Sequence, residues 1–108
     1  MGRKTSPGPR KSSSKEAATK TASRSFKIKN ELGLHARAAA LFVKTASKFK
    51  AEISIKKGAH EVNGKSIMGL LMLAAGHGTE IQLAANGPDA PRALQELGGL
   101  IENRFGEK

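Results

Sequence analysis

Large apolar side chains enter this sequence abruptly at Phe26; before Ser25 there is only Met1, set among Ser, Thr, Lys, Arg, Gly, Pro and Ala. Ordering a residue costs roughly 1–2 kcal/mol of backbone entropy, and a segment with nothing to bury cannot offset it. Residues 1–24 are therefore expected to be a disordered basic tail, and folding is confined to 25–108, enough chain for one modest core. The charge divides the same way. Seven cations stand against one acid through Arg24, and 12 against 8 afterwards, so most of the net charge of +10 belongs to the tail. Any affinity for nucleic acid or acidic lipid would come from the tail, although it lacks aromatic stacking groups. Its low acid and high serine content also fits an organellar transit peptide, without the amphipathic stripe of one.

The absence of cysteine excludes disulfides, thiolate metal sites and a cysteine nucleophile, and fits a reducing compartment. No apolar run approaches the roughly 20 residues of a bilayer span, nor does the N-terminus carry a secretory signal. The expectation is a soluble cytoplasmic protein without membrane insertion.

After Ser25 the hydrophobic period alternates between two and about 3.6. Phe26 and Ile28 alternate with Lys27 and Lys29 as in a half-buried strand, and Asn30-Glu31-Leu32-Gly33 breaks the pattern. Ala39, Phe42, Val43, Ala46 and Phe49 then recur at three- and four-residue steps, an amphipathic helix. Ile53 and Ile55, the turn Lys57-Gly58-Ala59 and a strand through Val62 read as a hairpin. Ser66 is placed to cap a short apolar helix beginning at Ile67 and stopped by Gly76. Ile81, Leu83 and Ala85 form a fourth strand, and Asp89 is placed to cap a last helix bearing Leu94, Leu97, Ile101 and Phe105. The order β-α-β-β-α-β-α predicts an α+β two-layer sandwich with a mostly antiparallel sheet. Strand order stays open.

Gly33-Leu34-His35-Ala36-Arg37 puts a histidine at a loop-to-helix junction and an arginine in the first turn. The first amides of a helix lack internal partners and sit in the positive end of the dipole, together worth roughly 0.3–2 kcal/mol to an anion. A neutral imidazole has one free lone pair for attack on phosphorus, and a guanidinium offers fixed donors to phosphate oxygens. On these residues alone, a phosphoryl site and a plain cap with a solvated arginine both remain open.

The segment resembles the active-site segment of the histidine-containing phosphocarrier protein HPr family of the bacterial phosphotransferase system. Gly33-Leu34-His35-Ala36-Arg37 matches at the first helix and Val62-Asn63-Gly64-Lys65-Ser66-Ile67-Met68-Gly69 at the second, within a resemblance running from Ser25 to about Phe105. It implies an open-faced β-sandwich with four antiparallel strands covered on one face by three helices. It also implies a carrier rather than an enzyme, working without a cofactor or metal. His35 would take a phosphoryl group on Nδ1 from enzyme I and pass it to enzyme IIA components, with Arg37 stabilising the phosphate. Ser66 matches the serine modified by HPr kinase/phosphorylase in some members, beside its reading as a cap worth about 1 kcal/mol. The family's docking patch corresponds to Ile67, Met68 and Leu71; the opposing reading makes them core. The family usually has proline where this chain has Ala38, a first-turn position that tolerates either. A monomer is expected.

A second reading is a regulatory HPr-like protein of the nitrogen-related branch, acting by phosphorylation-dependent binding. His60 and His77 lie in a hairpin and a Gly-His-Gly loop, without neighbours at metal-ligand spacing, and receive no role. The chain has no GxxxxGK nucleotide loop.

Overall fold

The structure, a computed structural model, describes residues 20–107. Strand β1 (Lys20–Lys27), helix α1 (Ala36–Ala46), strands β2 (Glu52–Lys57) and β3 (His60–Asn63), helix α2 (Ile67–Leu73), strand β4 (Glu80–Gly87) and helix α3 (Ala90–Glu102) follow in the expected order. A 3-10 turn, Arg104–Gly106, follows α3 and leads to Glu107, the last described residue. The strands form one antiparallel sheet ordered β1-β4-β2-β3, so the last strand in sequence lies between the first two. It is the open-faced sandwich that the period pattern and the motifs imply.

Burial follows the period of two. Along β4, Ile81, Leu83 and Ala85 are buried and the residues between them face outward or are half-covered. They join Phe26, Ile53 and Ile55 under Phe42 of α1, Leu70 of α2 and Leu97 and Ile101 of α3, a single continuous core. Each fully buried aliphatic or aromatic side chain contributes roughly 1.5–3 kcal/mol, so this face supplies most of the stability. On α3, Gly98 lies against Phe26; a Cβ there would meet the ring at 2.5 Å, and glycine lets the helix approach the sheet.

Three boundaries differ from the sequence reading. β1 begins at Lys20, so residues 20–24 are not part of a disordered tail; the rest of that tail, residues 1–19, lies outside the described residues. The reason is that an edge strand is held by its backbone. Lys20 through Ser25 pair with Gly87 through Gln82 of β4 while their side chains, Ala22 apart, stay exposed. Phe49 falls beyond the end of α1 but still inserts into the core. α2 stops at Leu73 with Ala74 in the left-handed conformation (φ 54°), ahead of Gly76.

Asp89 stands at the N-cap of α3 but makes no capping bond. Its two carboxylate oxygens instead accept from the backbone amides of Lys50 and Ala51, each at 2.9 Å, and tie the α1–β2 connection to the start of α3. These bonds, that from Lys50 foremost, hold its carboxyl below the ordinary aspartate range against a smaller opposing effect of burial.

No helix among the described residues is long and apolar enough to cross a membrane, and no group of three or more His, Asp or Glu among them could hold a metal ion.

Candidate functional site

His35 is the N-cap residue of α1, with extended backbone (φ −84°, ψ −178°) and no capping bond from its side chain. The first bond of the helix runs from the Ala39 amide to the His35 carbonyl at 2.8 Å. The amides of Ala36, Arg37 and Ala38 therefore precede the ladder, and the ring does not occupy them. Arg37, exposed in the same first turn, lines with His35, Ala36, Glu31, Leu32 and Glu107 an open hollow at this end of the helix. The two residues singled out for phosphoryl chemistry thus share one wall.

The loop before His35 is pinned by contacts that only Gly33 permits. Its φ of +67° suits glycine, and a Cβ there would lie 2.5 Å from the Ala75 carbonyl oxygen. Leu34 donates its amide to that carbonyl at 2.9 Å, so the histidine loop is bonded to the chain leaving α2. The chain just beyond α2, the helix that the second motif leads into, is tied to the first motif in this way.

On α2 the capping expectation holds: the Ser66 Oγ accepts from the Gly69 amide at 3.0 Å. Leu70 and Leu73 face the core, whereas Met68 is 67% and Met72 76% exposed, with Ile67 and Leu71 also open to solvent. The reading of Ile67, Met68 and Leu71 as core is overturned by these exposures. A seven-residue helix lying on one face of a sandwich buries only one stripe, and this one is apolar beyond that stripe. Leu32, on the histidine loop, is 69% exposed and lines the hollow itself.

Two residues of the site have no signal in the sequence. Glu107 places Oε2 2.6 Å from His35 Nε2, and its other oxygen accepts from Asn30 Nδ2 at 3.0 Å. Asn30 is wholly buried and donates from the same Nδ2 to the Gly33 carbonyl at 2.8 Å, while its Oδ1 has no partner. A buried unpaired acceptor costs about 1–3 kcal/mol. Glu107 arrives by a second costly arrangement: Arg104, Phe105 and Gly106 all have positive φ (57°, 53° and 75°), at ~1–2 kcal/mol for each of the two non-glycine residues. The turn buries Phe105 in the core and reverses the chain toward the hollow. The hydrogen bond from Asn30 above all, then that with His35 and the field of Arg37, hold the Glu107 carboxyl below the ordinary glutamate range.

A family model described as PTS HPr component phosphorylation site matches residues 22–103, most of the chain. The chain belongs to the HPr family. It is 53% identical over 83 residues to the phosphocarrier protein HPr of Neisseria meningitidis serogroup A, covering 77% of this chain and 93% of the relative. Identity to HPr of Xylella fastidiosa is 49% over 80 residues, covering 74% and 90%. Among solved structures, an HPr of Thermoanaerobacter tengcongensis superposes with a TM-score of 0.78 at 47% identity, covering 81% of this chain and 98% of that one. HPr is a phosphocarrier of the phosphotransferase system and not a catalytic enzyme, and this chain has that role.

Proposed function

We propose that His35 is the phosphoryl-carrying residue, accepting the group on Nδ1 from phosphorylated enzyme I and passing it to enzyme IIA components. The observation that carries this reading is a histidine at a helix N-cap whose ring leaves the first-turn amides free, beside an arginine facing the same hollow. The Nδ1 lone pair attacks phosphorus, the N–P bond forms as the bond to the donor breaks, and the donor keeps that electron pair. Arg37 and the amides of the first turn neutralise the equatorial oxygens, where charge accumulates in a loose transition state.

Ile67, Met68 and Leu71 form the docking surface in this reading, and the exposed Met72 of the same helix extends it. Methionine is flexible and polarisable, so one patch can repack against two unlike partners. A phosphate on Ser66, the regulatory position, would replace its cap to Gly69 and put negative charge beside that patch.

The test is incubation of the protein and of His35→Ala with phosphoenolpyruvate and enzyme I, followed by intact mass and acid treatment. One acid-labile phosphoryl group on the wild type and none on the variant is expected. Uptake by His35→Ala, or acid-stable modification of both, would overturn the assignment.

A further inference from the structure

One buried amide holds both the backbone and the ring of His35. Asn30 Nδ2 donates to the Gly33 carbonyl at 2.8 Å, and that carbonyl also accepts the His35 backbone amide at 2.9 Å. The second Nδ2 proton goes to Glu107 Oε1 at 3.0 Å, and Glu107 Oε2 lies 2.6 Å from His35 Nε2. The amide cannot be turned over: Oδ1 would then face a carbonyl and a carboxylate, neither of which donates. Its Oδ1 is left without a partner, so the orientation serves Gly33 and Glu107 at the expense of its own acceptor.

We propose that Asn30 and Glu107 are positioning residues which keep the His35 proton on Nε2 and so reserve Nδ1 for the phosphoryl group. In a neutral imidazole the bond made by one nitrogen decides which of the two carries the proton. An ionised carboxylate only accepts, so the nitrogen facing it must be the one that donates. The Nε2 proton then remains in its bond to Glu107 throughout. The phosphoryl group leaves its donor and joins Nδ1 with no proton having to leave the ring. Arg104 and Phe105, both in the left-handed region, shape the turn that brings Glu107 here. Reliance on a residue 72 positions away explains why the site cannot be built from the helix alone.

This inference rests on the proposal that His35 carries the phosphate, and two readouts keep their failures apart. The first is the pair of His35 ring-nitrogen signals in long-range proton–nitrogen spectra of the full chain, taken at about pH 8, above the ordinary imidazole range. Wild type should show a protonated Nε2 and an unprotonated Nδ1. Glu107→Ala and Asn30→Ala should each bring the two signals together as the tautomers mix. Glu107 lies near the chain end and contributes nothing to the core, so Glu107→Ala carries the test even if Asn30→Ala fails to fold. The second readout is the rate of phosphoryl uptake with enzyme I and phosphoenolpyruvate. It should fall roughly tenfold in Glu107→Ala, and the double variant should be no worse than the poorer single one, as residues acting through one bond behave. Ring signals in Glu107→Ala identical to wild type would overturn the proposal. So would a wild type with its proton on Nδ1. A wild type that shows the expected signals but takes up no phosphate would overturn the carrier assignment instead.

Discussion

Helices α1 and α2 begin in opposite ways. Ser66 folds its hydroxyl back onto the Gly69 amide and closes the start of α2, while His35 turns its ring away and leaves the start of α1 open. The difference is one of purpose. A capped terminus has satisfied its donors internally and gains about 1 kcal/mol of stability. An uncapped one forgoes that stability and keeps its amides available to an anion. The same contrast runs along the helices: α1 buries Ala38, Ala39, Phe42 and Ala46, whereas α2 leaves Met68 and Met72 in solvent. In the proposed reading, the chemistry falls on the firmly packed helix and docking on the exposed apolar surface of the short one, which matches a need for fixed geometry at the first and adaptability at the second.

Closing the open terminus should have the largest effect. His35→Ser supplies a hydroxyl able to cap α1; phosphoryl uptake should vanish while thermal stability rises above that of His35→Ala by about 0.5–2 kcal/mol, read by calorimetry. A His35→Ser protein no more stable than His35→Ala would show that the terminus is not open in the sense argued. Opening the closed terminus should do less. Ser66→Ala should lose about 1 kcal/mol in urea titration with uptake changed by no more than roughly twofold, since its hydroxyl takes no part in the transfer. A loss of uptake comparable with that of His35→Ala would make the cap part of the chemistry.

The third helix gives the smallest and most conditional effect. Asp89 has the position of a cap and the bonds of a clamp on Lys50 and Ala51. Its carboxyl is held low in the folded state, so its stabilising contribution is complete above the unfolded value of about 3.9 and lost as pH falls through the folded value. Asp89→Asn should lower Tm by a few degrees at neutral pH, and the gap to wild type should close as the solution is acidified. A gap independent of pH would mean that the charge of Asp89 is irrelevant to its bonds.

The period changes after Ser25 were sufficient for the element order, because each reflects local backbone geometry that a single sheet and its covering helices must satisfy. Ser66 was legible as a cap for the same reason: its partner is three residues away. Asp89 was misread by that logic, since a cap and a long-range clamp use the same side chain and only packing chooses between them. β1 was begun five residues late because Lys20 to Arg24 announce no burial, and an edge strand needs none. Leu32 read as part of a loop, and its exposure became meaningful only beside the hollow.

What the sequence determined by itself was whatever depends on neighbours within a turn or two: the strands and helices, the histidine and arginine at the start of α1, and the apolar excess of α2. What the tertiary structure decided was the company His35 keeps. Asn30 and Glu107 are ordinary residues in a loop and near a chain end, and no local pattern distinguishes them. They meet because β1 and α3 lie against each other and the turn after α3 reverses the chain. Hydrogen bonds across 72 and 77 residues form only once a shared core has brought their partners together, and the energy that does this comes from side chains elsewhere.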